Sequence, residues 1–409
     1  MSWPKLPLDQ LGYLSRGRSR HRPRNDPSLY GGPYPFIQTG DVKHANFRIT
    51  EHAATYSEAG LAQSRLWPKD TLCITIAANI ADTALLEYEA CFPDSVIGFI
   101  ADNEKADPRF VKYYFDIIQR ELQMVSQGAT QDNLSQEKLL SFGIACPPVG
   151  VQRQIAEVLS TYDELIDINQ RRIALLEDAA RRLYREWFVQ LRFPGYESVL
   201  VLDGLPQGWQ SGSAFDFVSI MSGGTPKTGM EHFWGGEIPF FTPKDSPDAF
   251  YVLGTEKALT ESGLASCNSR LFPKDTVFIT ARGTVGKIAL AQMPMAMNQS
   301  CYAQAPKQDY DNLFLFLAIQ EAVEHFKQVA TGGVFNAIIV DTFKIIPFLM
   351  PDTWLTRAFG DKVQPIFQQV ENLLLQNQNL VRARDLLLPK LMSGQLDVSG
   401  ITLRDEVVA

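Results

Sequence analysis

Arg16, Arg18, Arg20, Arg22 and Arg24 alternate with small or polar residues and His21 inside one nine-residue stretch. A guanidinium neutralises phosphate and can donate two parallel bonds to a guanine edge, so the chemistry on offer is nucleic-acid binding. The competing reading is a solvated charge run. Five arginines within nine residues, beside Gly17 and followed by Gly31-Gly32, favour the binding arm. The first 50 residues hold eight Lys or Arg against three Asp, a balance of +5, within a chain whose formal charge is −8. That overall sign excludes coating of DNA or anionic membrane by bulk charge, and leaves a local footprint open.

Further polar clusters follow. Ser222-Gly223-Gly224-Thr225-Pro226-Lys227 precedes Phe233-Trp234-Gly235-Gly236. Its glycines would let backbone amides approach a phosphate, with Thr225 and Lys227 as polar contacts, or the segment is a plain loop. Gln38-Thr39-Gly40-Asp41-Val42-Lys43-His44 and Thr242-Pro243-Lys244-Asp245 share an Asp that accepts from cytosine or caps a turn, the turn being favoured. Arg282, Thr284 and Lys287 form a polar loop matching Asn79 and Thr83 earlier in the chain. Gln131 and Asn133 in one Gly-led loop, and Asn336 in another, either read adenine or satisfy local backbone groups.

Catalytic patterns are missing. In Gly283-Thr284-Val285-Gly286-Lys287-Ile288 the first glycine of a phosphate loop falls on Ala281, and Ile288 stands where the magnesium-binding hydroxyl belongs. No G-x-G-x-x-G opens a helix. There is no Asn/Asp-Pro-Pro-aromatic tetrapeptide of an amino-methyltransferase, and no Pro-Asp followed suitably by an acidic-x-Lys nuclease motif. Five cysteines lack any C-x-x-C, and five histidines form no zinc pair, so neither a disulfide framework nor a structural zinc is expected. No apolar run approaches the ~20 residues of a membrane span, and no secretory h-region opens the chain. A reducing, cytoplasmic setting is expected.

The elements that would position these loops are duplicated. The string from Ser64 to Thr75 reappears from Ser269 to Thr280 with nine of twelve residues identical. Glu58-Ala59-Gly60-Leu61-Ala62 matches Glu261-Ser262-Gly263-Leu264-Ala265, and Pro35-Phe36 returns as Pro239-Phe240, each with an Asp five residues beyond the Phe. A period near 205 is a whole domain plus a connector, not a solenoid unit.

Each half ends in a long amphipathic stretch. Ile155, Leu159, Tyr162, Ile166, Asn169, Ile173, Leu176, Ala180, Leu183 and Trp187 keep an unbroken 4-3 spacing, the seam of a coiled coil. Val363, Phe367, Val370, Leu374, Asn377, Val381, Arg384, Leu388 and Leu391 repeat it, flanked by Ile366, Leu373, Leu380 and Leu387. Asn169 and Asn377 either fix the register of the helix pair or sit at a wet edge of the stripe. Pro365 is expected to start the second helix rather than lie inside it. Two such helices in one chain most simply pair with each other.

The intervening segments are rich in Gly, Pro and short β-type runs, such as 71–76, 277–280 and 338–340, with helices near 107–124 and 312–328. The expected fold is α+β: two globular recognition domains separated by two long helices in an antiparallel coiled coil, a pseudo-twofold tandem repeat. The expected boundaries are 1–148 for the first domain, 149–195 for the central helix, 196–350 for the second domain, 351–396 for the C-terminal helix and 397–409 for a tail.

The order of features resembles the specificity subunit of Type I restriction–modification enzymes across essentially the whole chain. The resemblance rests on Leu205-Pro206-Gln207-Gly208-Trp209, Ser222-Gly223-Gly224-Thr225-Pro226 and Trp234-Gly235-Gly236-Glu237-Ile238-Pro239-Phe240. Pro148 with Gln152-Arg153-Gln154-Ile155-Ala156, and Leu386-Leu387-Leu388-Pro389-Lys390-Leu391-Met392-Ser393-Gly394, are similar to its central and C-terminal regions. The first domain departs by carrying the Arg-rich loop where the second has Ser-Gly-Gly-Thr-Pro, so the two would read different half-sites.

The resemblance implies a non-catalytic subunit whose two domains each read half of a bipartite DNA target through the major groove, the helices setting an unread spacer. It implies partners: two modification subunits binding S-adenosylmethionine and methylating adenine, and restriction subunits using ATP and Mg2+. No cofactor is expected on this chain. Exposed helical faces, with Trp187 and Phe188, would be partner surface, though Trp187 on the seam is expected to pack internally. The alternatives are a fused nuclease or methyltransferase, the specificity subunit of a related fused system, and a partner-binding scaffold that no longer reads DNA.

Overall fold

The structure, a computed structural model, describes residues 3–77, 79–127, 134–329, 337–398 and 400. The chain divides into two compact units, 1–167 with 379–409, and 168–378.

In the first unit, strands β1 (Gly12–Arg16), β2 (Arg48–Ile49), β3 (Leu72–Thr75), β4 (Thr83–Leu86) and β5 (Val96–Ala101) form one sheet in the order β1-β5-β3-β4-β2. Only the β4–β2 pair is parallel. The second unit repeats the arrangement. Its strands β6 (Val218–Ser222), β7 (Tyr251–Val252), β8 (Val277–Thr280), β9 (Ile288–Ala291) and β10 (Cys301–Pro306) lie in the order β6-β10-β8-β9-β7, with only β9–β7 parallel. The duplication seen in sequence is thus a duplication of topology.

β3, β4 and β8 are buried at every residue, because apolar side chains cover both faces of each sheet. In the first unit one face meets Phe110, Val111 and Tyr113 of helix α2, while Trp67 and Phe92 cover the other; helix α1 is Thr39–His44 and α2 is Pro108–Gln127. α2 starts where the Asp107 carboxylate accepts from the Arg109 amide at 2.8 Å, capping the first turn. Asp107 is tied in turn to the first turn of α3 (Val149–Tyr184): its amide donates to Gln152 Oε1 at 3.1 Å. In the second unit, α4 (Asn312–Val329) is capped by Asp311, which accepts from Leu313 at 2.8 Å and Phe314 at 3.0 Å. Asp311 donates to Thr356 of α5 (Thr353–Met392).

Three local expectations fail. Residues 338–340 form no strand: Ile338 alone is buried, its amide bound to Ala281 O, while Ile339 and Val340 are exposed and lead into the short helix Thr342–Ile345. Pro365 lies inside α5 rather than at its start. An interior proline removes a hydrogen bond at a cost of about 3 kcal/mol. Pro365 and Asp361, the residue four before it whose carbonyl loses its partner, are on the exposed face of the helix, open to solvent. Burial of Phe359, Val363, Phe367 and Val370 along the opposite face holds the helix through that point. Finally, the central helix does not reach residue 195: after Tyr184 it widens into a π turn, Arg185–Val189, and Leu191 takes a left-handed φ of 59°.

Among the described residues no helix is long and apolar enough to cross a membrane, and all five cysteines are free thiols.

Candidate nucleic-acid interface

Strand register brings separate loops to one end of each sheet. In the first unit, Arg16 at the end of β1 faces Ile97 near the start of β5, and Thr75 at the end of β3 faces Val96. The β3–β4 turn opens at that same end, as does α1, which leads into β2. The arginine loop, residues 92–95, the turn carrying Asn79, and Lys43 therefore share one sheet end. The second unit follows suit: Ser222 faces Tyr302, Thr280 faces Cys301, and residues 223–227, 298–300, 281–287 and 242–248 gather there.

All five arginines of the first loop are exposed. The loop backbone is pinned rather than free. Gly17 donates to Val96 O at 2.9 Å, Arg18 to Phe92 O at 3.1 Å, and Arg20 and His21 both donate to Gln63 Oε1, at 2.6 and 3.1 Å. Gly17 is required, since a Cβ would stand 2.3 Å from Phe92 O. Arg22 folds back on the carbonyls of Ser19 and His21, and one nitrogen of Arg24 binds both oxygens of Asp94 at 3.0 and 2.9 Å. Among the described residues Arg16, Arg18 and Arg20 make no ion pair, so these guanidinium groups are the ones available to phosphate. His21 Nε2 lies 3.1 Å from Asp26, whose carboxyl is held below its usual range chiefly by the Ser28 hydroxyl and amide.

Lys43 and Asn79 come together, Lys43 Nζ donating to Asn79 Oδ1 at 3.2 Å. His44 is exposed, its Nδ1 2.7 Å from Gly40 O. Thr83, in contrast, is buried in β4. Burial raises the Asp82 carboxyl, with Lys43 opposing that shift.

In the second unit Gly223 repeats the role of Gly17, its Cβ position 2.3 Å from the carbonyls of Met297 and Asn298. The Thr225 hydroxyl donates to Gln299 Oε1, and Lys227 is exposed. Thr284 Oγ1 donates to Pro243 O at 3.2 Å and Lys287 Nζ to Asp248 at 2.6 Å, which joins the 281–287 turn to the segment bearing Lys244. Arg282 and Lys244 are exposed without an ion pair among the described residues. The phosphate-loop look-alike runs into strand β9, not a helix, so no helix N-terminus faces it. Asp41 and Asp245 are turn caps, accepting from the amides of Gln38 at 2.7 Å and Thr242 at 2.8 Å. Gln131, Asn133 and Asn336 lie outside the described residues. Asp94 and Gln299 escaped the sequence reading, although the 205-residue offset places them at equivalent positions.

The long helices run antiparallel within each unit. In the second, Asn169 Nδ2 donates to Asn377 Oδ1 at 2.9 Å and to Gln376 Oε1 at 3.1 Å, and Asn169 is buried. In the first, Arg384 donates to Asp163, which also accepts from Tyr113 Oη at 2.5 Å. Burial beside that carboxylate drives the Tyr113 hydroxyl far up. Phe188 is not partner surface: it is 4% exposed and packs edge-on to Phe314 and Phe359, while Trp187 packs on Phe359. Both rings lie in the core at the π turn, Trp187 as its seam position requires.

Among the described residues no group of three or more His, Cys, Asp or Glu is placed to hold a metal. What the two sheet ends can do is present cations, amides and hydroxyls on pinned loops, the inventory of phosphate and base-edge contacts.

Comparison with known proteins places the chain in a family. The chain is similar to the Type I restriction enzyme HindI specificity subunit of Haemophilus influenzae, 21% identical over 94% of this chain and 98% of that one. It is similar to the Type I restriction enzyme MjaIX specificity subunit of Methanocaldococcus jannaschii, 27% identical over 43% of this chain and 42% of that one. The fold is like that of the S subunit of a Type I restriction–modification system from M. genitalium, with a TM-score of 0.59 and 17% identity, covering 95% and 96% of the two chains. Residues 3–178 and 206–356 both match the family described as Type I restriction modification DNA specificity domain, and the chain, a tandem pair of such domains, belongs to that family.

Proposed function

We propose that this chain is the DNA-reading, non-catalytic subunit of a Type I restriction–modification complex, each repeat reading one half of a bipartite target. The observation that carries the reading is the convergence of pinned polar loops on the same end of two copies of one sheet. The first half-site is assigned to Arg16, Arg18, Arg20, Arg22, Arg24, Lys43, His44 and Asn79, and the second to Thr225, Lys227, Lys244, Arg282, Thr284 and Lys287. Gln131, Asn133 and Asn336 belong to the same assignment. The loops differ between repeats, five arginines against a Gly-Gly-Thr-Pro-Lys turn, so the half-sites differ.

In this reading the domains follow the boundaries 1–148 and 196–350. The long helices set the distance between half-sites, and Asn169 with Asn377 fixes their register. The helices dock two modification subunits, which carry S-adenosylmethionine, and restriction subunits add ATP- and Mg2+-dependent translocation and cleavage in the cytoplasm. The chain itself binds no cofactor.

Methylation mapping of a genome in cells expressing this chain with its modification subunit tests the proposal. The expected result is a two-part adenine-methylation motif with an unread spacer that disappears when this chain is deleted. A motif that persists without the chain, or methyl transfer by the purified chain alone, overturns it.

A further inference from the structure

Asp94 and Gln299 occupy the same place in the two repeats. Gly17 abuts the carbonyls of Phe92 and Pro93, and Gly223 those of Met297 and Asn298; the next residue is Asp94 in one and Gln299 in the other. Each then grips the loop that leaves the first strand of its sheet. Asp94 holds Arg24 through both carboxylate oxygens, and Gln299 holds Thr225 through its carboxamide oxygen. The grip is at the exposed sheet end, not in the core: the Arg24 and Asp94 side chains keep 50% and 46% of their accessible surface.

The chemistry left outward differs. Only one Arg24 nitrogen is engaged by Asp94, so the other guanidinium N–H groups have no partner among the described residues. A planar donor fork held by a carboxylate matches the two acceptors of a guanine edge. Gln299 is exposed and its amide nitrogen has no partner among the described residues, so Thr225 fixes a side chain whose outer edge is a donor for a base acceptor. An exposed Arg–Asp pair adds little stability on its own, which leaves orientation as its effect.

We infer that positions 94 and 299 are the paired specificity positions of the two domains. Asp94 is a positioning residue that aims Arg24 at a guanine of the first half-site, and Gln299, steadied by Thr225, contacts a base of the second. The inference rests on the proposed function and adds to it the residues that choose particular bases.

The test uses the full chain assembled with its modification subunits and a pool of random-sequence duplexes, from which bound DNA is recovered and sequenced. Arg24→Ala and Asp94→Asn are expected to lower discrimination about tenfold or more at one shared base pair of one half-site. Asp94→Asn also removes a negative charge, so binding to unselected DNA tightens. Gln299→Ala and Thr225→Val are expected to relax one shared base pair of the other half-site and leave the first intact. A purely structural role lowers melting temperature or yield and leaves the selected sequence as it was. Selection of the wild-type sequence by all four folded variants overturns the inference while the proposed function stands. Failure of the wild-type complex to select any bipartite sequence overturns both.

Discussion

Asn169 donates to Asn377 across the antiparallel helices of the second unit, and the pair sits on seams that are otherwise apolar apart from Arg384. A buried amide is tolerated only opposite a partner, because a slipped pairing would strand it against Leu or Val. Asn169→Ala is expected to destabilise the chain by about 1–3 kcal/mol in urea unfolding, since the two bonds that Asn169 donates to Asn377 and Gln376 are removed. The double change Asn169→Leu with Asn377→Leu should recover most of that loss. A double variant as unstable as the single one would show that the pair matters for packing rather than for its hydrogen bond.

The buried charge in the first unit makes a different demand. The Asp163 side chain is 5% exposed and is matched by Arg384 and the Tyr113 hydroxyl. Arg384→Met strands a carboxylate and should cost about 3–5 kcal/mol, whereas Arg384→Met with Asp163→Leu should cost much less. Unfolding free energies of the two variants decide this, and equal losses would refute it.

Much of this was legible in the sequence, for physical reasons that mark its limits. The 205-residue repeat marked one equivalent strand in each unit, since Thr75 and Thr280 sit in the same string and end those strands. The 4-3 spacing marked both helix seams, no member of which is exposed. Helix termini were less legible. Pro365 normally ends a helix locally, and here the apolar face on either side overrides it. Phe188 stands next to a seam position and reads as surface until the π turn at Arg185–Val189 rotates it inward. Asp94 and Gln299 are single polar residues with no motif around them, and only the register of β5 and β10 puts them beside Arg24 and Thr225. Nor does spacing reveal that Arg22 and Arg24 are internally engaged while Arg16, Arg18 and Arg20 are not.

Glu177 gives a pH dependence. Its carboxylate accepts from the Phe250 amide at 2.7 Å and from Arg181 at 3.1 Å, yet burial dominates and raises its pKa above the ordinary value. The fold then binds this proton more tightly than the unfolded chain does, so its contribution is fully present below the ordinary Glu value of about 4.3 and is lost as pH rises through the raised value. Glu177→Gln keeps an acceptor for Phe250 and cannot ionise. Its stability relative to the parent should therefore improve steadily from about pH 4 toward neutrality. A difference that stays constant with pH in urea titrations would count against the raised pKa.

The unpaired arginines should set the salt dependence of DNA binding. Arg18→Ala with Arg20→Ala removes two exposed cations that lack ion-pair partners among the described residues. With modification subunits present, affinity for duplex DNA should fall, and the slope of log K against log salt should become shallower by up to about 1.8. The same double change leaves the backbone bonds from Arg18 and Arg20 in place, so the loop keeps its path. Unchanged affinity and slope would place the arm away from phosphate.

The spacer role of the helices is open to a direct length test. Four residues inserted after Asn169 add about 6 Å and slightly more than one turn, since each residue rises about 1.5 Å and turns through about 100°. The insertion also shifts the seam C-terminal to Asn169 against α5, so the register set at Asn169 and Asn377 cannot be kept on both sides of it. If helix length measures the gap between half-sites, the methylated motif should gain base pairs in its unread spacer, by about two at the 3.4 Å rise of B-DNA. The other outcome consistent with a ruler is loss of assembly with the modification subunits, read by size-exclusion chromatography of the co-expressed complex. A complex that assembles normally and methylates the parental motif with the parental spacer would show that the distance between half-sites is set elsewhere in the chain.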